Sequence, residues 1–209
     1  MLIPKPTSGR GTVLEVVVIV ALAIGLALGI QAFLVKPYQI PSESMEPTLD
    51  IGQRVLVNRI SHQLGGDPEI GDVVVFHPPV TATPEFEGGP PCSVERDPKQ
   101  VCPMNDPRES ETNFIKRVVA GPGDRLEVDD GIPVVNGEKV EGDWTIIPCG
   151  GLGACDFPQS ITIPPDHYFM MGDNRGASDD SRFWGPVPRD WIIGQAVVTY
   201  WPPDRIGFL

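Results

Sequence analysis

Positive charge is scarce in this chain: 16 Lys and Arg stand against 28 Asp and Glu in 209 residues, a formal net charge of -12. So anionic a surface has little with which to neutralise phosphates, and nucleic acid is excluded as a partner. Histidine is scarcer still, with only His62, His77 and His167, far apart in the sequence. No C-x-x-C pair accompanies them, so the ordinary ligand spacing of a zinc centre is missing and no metal or other cofactor is expected. The familiar hydrolase signatures are absent as well, since G-x-S-x-G, H-E-x-x-H and S-x-x-K do not occur. A Ser-His-Asp triad stays open, because its members need not be close in sequence. There is no internal repeat, and no second apolar stretch long enough to span a bilayer.

One such stretch is present. Residues 13–35 are apolar except for Glu15 and Gln31, and at ~1.5 Å per residue they reach across a ~30 Å hydrocarbon core. They read as a single transmembrane helix. A cleavable signal peptide is the alternative, but its apolar region would be ~7 to 15 residues followed by a small-residue site. Lys5 and Arg10 precede the run and Lys36 comes after it, which puts the N-terminal segment, 1–12, on the cytoplasmic side. The remainder, 36–209, reads as one extracytoplasmic domain. Four cysteines in two close pairs, Cys92 with Cys102 and Cys149 with Cys155, agree with an oxidising exterior. All three connectivities remain open from the sequence.

With 23 Gly and 24 Pro, that domain should be mainly β, made of short strands joined by turns. Strand-like runs occupy 54–57, 72–76, 114–119, 125–128, 168–171 and 192–200. Asn136-Gly137 between two further runs is a two-residue hairpin signal, since both residues tolerate positive φ. Residues 78–113, rich in Pro and acids, read as a surface insertion pinned by Cys92 and Cys102.

Three segments hold the candidate chemistry. The first, Ile40-Pro41-Ser42-Glu43-Ser44-Met45-Glu46-Pro47-Thr48-Leu49, is held from forming a long helix by its prolines; alone, it could be a hydroxyl-rich linker. In the second, Asn113 to Asp124, strand alternation puts Phe114, Lys116 and Val118 on one face and Ile115, Arg117 and Val119 on the other. Apolar neighbours would desolvate Lys116 and depress its pKa, as a general base requires, whereas a snorkelling lysine would keep its head in water. The third, Met171 to Val187 at the end of the short strand 168–171, is a loop in which Asp173 or Asp180 could pair with Arg175 or Arg182. A calcium loop is disfavoured by the two arginines and the missing EF-hand spacing.

In order and wording these three segments closely resemble the bacterial type I signal peptidases, membrane-anchored serine proteases that remove signal peptides from exported proteins. The resemblance extends over the anchor and most of the chain beyond it. It implies a domain of two antiparallel β-sheets bearing an apolar groove. It implies Ser44 as nucleophile, Lys116 as general base, Ser42 as oxyanion donor and Ser178 as the hydroxyl that orients the lysine. Asp180 and Arg182 would form a supporting ion pair, and Ile40, Met45, Leu49, Phe114 and Ile115 would line the substrate pockets. The expected partners are signal peptides of exported preproteins and the lipid bilayer, around a monomer in the cell membrane. The alternative is a catalytically inactive, membrane-tethered peptide-binding domain.

Overall fold

The computed structural model of the chain describes residues 9–33, 35–60, 64–150 and 155–209. Lys5 and its neighbours in 1–8, Leu34 of the expected span and His62 lie outside the described residues. Helix α1 runs Gly9–Phe33, so the helical boundaries differ from 13–35 at both ends. Pro37 explains the early stop: it removes a backbone donor and biases Lys36 to extended backbone. Val35 accordingly opens strand β1 (Val35–Gln39), paired with Asn58. Along α1 the large apolar side chains from Val13 to Leu26 are 48–69 % exposed. Among the described residues no helix is long and apolar enough to cross a membrane. The described side chains of α1 run unbroken only from Val13 to Leu26, about 21 Å of helix.

Beyond the helix the chain is mainly β. After β1 come β2 (Arg54–Asn58), β3 (Val73–Phe76), β4 (Phe114–Ala120), β5 (Arg125–Asp129), β6 (Ile132–Val135), β7 (Glu138–Lys139), β8 (Phe157–Thr162), β9 (His167–Met171), β10 (Val187–Pro188), β11 (Ile192–Trp201) and β12 (Gly207–Phe208). A one-turn helix α2 (Ser181–Trp184) separates β9 from β10. The larger sheet has the order β1-β2-β11-β3-β4-β9-β10, with β12 on β11, and the smaller has the order β7-β6-β5-β8. Every pairing between these strands is antiparallel. At the β6–β7 hairpin Asn136 and Gly137 take φ of 55° and 90°, the left-handed pair that matches the twist of the flanking strands.

Alternation sorts the core by face. In β3, Val73 and Val75 join one apolar cluster with Ile115, Val55 and Val57, while Val74 and Phe76 join another with Val118, Met170 and Trp184. In β9, Tyr168 and Met170 point to that second cluster, and Phe169 and Met171 to a third, formed with Leu126, Phe157 and Ile161 of the small sheet. The central strands of the large sheet are thus covered on both faces, and a polar side chain placed there loses its water.

Residues 78–113 are more than the expected surface excursion. A disulfide joins Cys92 to Cys102, but Val101 is fully buried among the third cluster and Ala82 in the second. The Cys102 backbone N–H donates to the Arg182 carbonyl at 3.0 Å. Scattered apolar residues inside a polar, proline-rich stretch carry no periodicity, so their burial left no pattern in the sequence.

Candidate active site

Ser44 sits in a single 3-10 turn, Glu43–Met45. Pro41 and Pro47 confine the helical piece to that turn, which Glu46 N–H closes on the Glu43 carbonyl at 3.0 Å. Ile40, Met45 and Leu49, each at most 2 % exposed, anchor it against Val55, Val57 and Val73. They support the turn from within the core and do not line the adjoining cavity, unlike Phe114 and Ile115, which do. The Ser44 carbonyl accepts from the Asn174 N–H at 3.1 Å, tying the first segment to the third.

Lys116 lies in β4 opposite Val74 and is 5 % exposed. It shares its face with Phe114 and Val118, and its Nζ lies 5.5 Å from the Phe114 ring centre. Its ammonium donates to Ser44 Oγ at 2.6 Å. Burial lowers its pKa from 10.5 to about 8, with the charges of Asp180 and Asp179 pulling in the opposite direction. Ser42, exposed at the mouth, has its Oγ 3.3 Å from Ser44 Oγ. Ser178 is buried nearby, but its Oγ has no hydrogen-bond partner, so the expected bond from it to Lys116 is not formed in this structure. Gly172 makes room for this packing, since a Cβ there would overlap both Ser178 Oγ and the Ser44 carbonyl.

Two ion pairs frame the site, and all four side chains are nearly inaccessible. Arg182 donates to Asp180 through Nε at 2.7 Å and Nη2 at 2.9 Å, with both residues 0 % exposed. Burial pushes the Asp180 carboxyl up, but the charge and hydrogen bonds of Arg182 override it and hold the net pKa below the usual carboxylate range. Asp180 also accepts from Gly172 N–H at 3.0 Å. A disulfide joins Cys149 to Cys155, and Arg182 Nη1 lies 3.2 Å from Cys155 Sγ. The first pair is one of the alternatives the sequence offered; the second is not among them, since Asp173 is bound by Arg117, at 2.9 and 2.6 Å, and not by Arg175. Arg175 instead donates to the Gly172 and Gly131 carbonyls. Thr48 Oγ1 donates to Asp173 at 2.6 Å, and Trp144 stacks on Arg117, 4.6 Å from its ring centre. Thr48, Arg117 and Asp173 thus join all three segments; the pattern's one signal for this was a second cation, on the opposite face of β4 from Lys116.

Ser44 and Lys116 open on a cavity of about 460 Å³. Its walls come from Pro41 and Ser42, the start of β4, Ala177 and Asp179, and both ends of the 78–113 insertion. No group of His, Cys, Asp and Glu able to hold a metal ion occurs among the described residues. A hydroxyl, a buried amine of lowered pKa and a further hydroxyl beside them make up the parts of acyl transfer without histidine.

The sequence pattern of one family, described as "Signal peptidase, peptidase S26", matches residues 13–201. The chain is 35% identical over 205 residues to a probable signal peptidase I-2 of Synechocystis, covering 98% of this chain and 81% of that one. It is 36% identical to a signal peptidase I of Leptolyngbya laminosa, over 91% of this chain and 80% of that one, and 32% identical to signal peptidase IB of Staphylococcus aureus, over 91% and 90%. Among solved structures, a signal peptidase I from Enterococcus faecalis aligns at 23% identity over 62% of this chain and 96% of that one, with a TM-score of 0.35.

Proposed function

Because this chain belongs to the peptidase S26 family of signal peptidases and is a serine endopeptidase, we propose that it cleaves N-terminal signal peptides from exported preproteins with a Ser44–Lys116 dyad. The observation that carries this reading is the 2.6 Å separation of Lys116 Nζ and Ser44 Oγ in a nearly dry setting. When the amine is neutral, Ser44 O–H donates to it and the hydroxyl proton passes to nitrogen as Oγ attacks the scissile carbonyl. The oxyanion meets Ser42 Oγ–H and the Ser44 N–H, donors of a kind whose loss costs ~10² to 10³ in turnover. Collapse breaks the C–N bond, and the Lys116 ammonium returns its proton to the departing amine. A water then gives a proton to Lys116 and attacks the ester, releasing the signal peptide carboxylate and restoring Ser44. Asp180–Arg182 shapes the loop that holds the buried Ser178 hydroxyl beside the Ser44 turn, where an orienting bond to the lysine would form.

The exposed apolar side chains of α1 have no partner surface in the described part of the chain, and a bilayer would supply one. In this reading α1 is a single-pass anchor with its N-terminus cytoplasmic, and a monomeric β domain works on the far side, where its disulfides persist. Ser44 lies nine residues beyond Val35, the start of β1, and so stays within ~33 Å of it by backbone reach, near where a signal peptide leaves the membrane. The inactive peptide-binding alternative has no observation in its favour, since binding needs no amine beside a hydroxyl. The test is purified full-length protein in vesicles with a preprotein, followed by N-terminal sequencing of the product. Ser44→Ala and Lys116→Ala should each abolish cleavage; substantial cleavage by either refutes the dyad.

A further inference from the structure

The cavity beside Ser44 holds three charged side chains: Lys116, Glu85 from the 78–113 insertion, and Asp179 from the loop before α2. Glu85 and Asp179 are both exposed at the rim, and neither makes a salt bridge or hydrogen bond to another described side chain; partial desolvation and the Asp180 charge push the Asp179 carboxyl up to about 6, which leaves it ionised at pH 7 and above. Asp173 and Asp180, by contrast, are consumed by Arg117 and Arg182. The two rim carboxylates therefore project their charge into the space a substrate would fill. Attack by Ser44 requires neutral Lys116, so at the reactive moment the cavity holds negative charge and no positive charge. The insertion, which the dyad chemistry leaves without a role, thus supplies one half of a charged rim and the catalytic loop the other.

We propose that Glu85 and Asp179 form an acidic rim that selects substrates with a cationic side chain in the segment seated across the cavity and disfavours those with an acidic one there. The proposal rests on the peptidase reading above and deepens it by naming a substrate class. An extended substrate points alternate side chains to opposite walls, so the preference should appear only at positions facing the rim.

The experiment uses purified full-length protein and peptides identical except for Lys, Gln or Glu placed in turn at each position across the cleavage junction. At low salt the wild-type kcat/KM should favour Lys over Glu by about tenfold at one or more positions, with Gln between, as expected of exposed pairs. Glu85→Gln and Asp179→Asn should each reduce that ratio by about threefold, and together bring it near parity. Taking the ratio cancels any effect of Asp179 on Lys116 that all peptides share. A second measurement needs no variant: the wild-type ratio should collapse towards parity in ~1 M salt, where the Debye length is about 3 Å. A wild-type ratio near parity at every position, a ratio indifferent to salt, or one unchanged in the double variant each overturns the rim. Failure to cleave any peptide or preprotein would overturn the peptidase reading itself, and so is distinguishable.

Discussion

The pH dependence of cleavage tests the site most directly. Burial brings the Lys116 amine from 10.5 to about 8. At pH 7 roughly one molecule in ten then has a neutral base, against about one in three thousand at the ordinary value, an enrichment of about 300-fold. With purified protein and a single peptide, log kcat/KM should rise with unit slope from pH ~6, bend near 8 and stay level above it. The charged groups that bear on this amine are Asp180, Asp179, Arg182 and Asp173. Asp180 is the largest of the carboxylate influences but is offset by its partner Arg182, as Asp173 is by Arg117; Asp179, whose own carboxyl is pushed up to about 6 by burial and the Asp180 charge, is the unpaired carboxylate that holds the amine in its charged form above that pH. Asp179→Asn should therefore move the midpoint to lower pH, modestly because the residue is exposed to screening solvent. A midpoint near 6.5, the ordinary histidine range, or a level profile through pH 8 would refute the base assignment. An upward shift in Asp179→Asn would refute the electrostatic reasoning.

Three further outcomes follow from the geometry. Unfolded Lys116 keeps its proton to pH ~10.5 whereas the folded one yields it near 8, so the stability penalty, on the order of 3 kcal/mol, is full below pH 8 and vanishes as pH climbs through 10.5. Lys116→Met should consequently lose cleavage yet raise Tm by several degrees at pH 7, with the gain shrinking by pH 10; thermal unfolding at both pH values checks this. Gly172→Ala should lower kcat by about 10²-fold through displacement of the Ser44 turn from Lys116, read from single-turnover cleavage alongside a denaturation curve showing that the variant is folded. Arg117→Ala should cost about 3 to 5 kcal/mol in urea denaturation, because it leaves Asp173 buried and uncompensated; a loss below about 1 kcal/mol would show that the pair is dispensable.

Strands are legible in the residues where one face alternates or a turn is spelled out. Runs such as 114–119 and the Asn136-Gly137 hairpin carry their periodicity and φ preferences in the residues themselves. Strand β1 is not legible in this way, because Val35 closes the apolar run and Pro37 interrupts the stretch after it, so that these residues become a strand only through pairing with β2. Strand β8, at one edge of the small sheet, is half exposed and carries a proline at its second residue, which hides it equally well. In the site, Ser44 and Lys116, the residues proposed to react, announce themselves by motif. The ones that hold the motifs together, Arg117 with Asp173 and Gly172 beneath Ser178, do not, since a sequence records charge and size but not which wall a side chain will meet.

Strand β4 shows what the fold adds. Lys116 and Arg117 are adjacent cations that alternation sends to opposite faces, and both faces are covered, leaving each only 5 % exposed. A buried cation persists only if an anion meets it or if it surrenders its proton. Arg117 cannot surrender its proton and is met by Asp173 in a bidentate pair. No described carboxylate comes within salt-bridge distance of Lys116; its nearest polar partner is the Ser44 hydroxyl, so its proton is held loosely. Exchanging the two residues would put an amine where an ion pair needs a guanidinium and a permanent charge where the proposed reaction needs a base. The order Lys-Arg in this strand is therefore set by which face meets Asp173 and which meets Ser44, and Lys116→Arg should retain the fold's charge pattern while cleaving no better than Lys116→Ala.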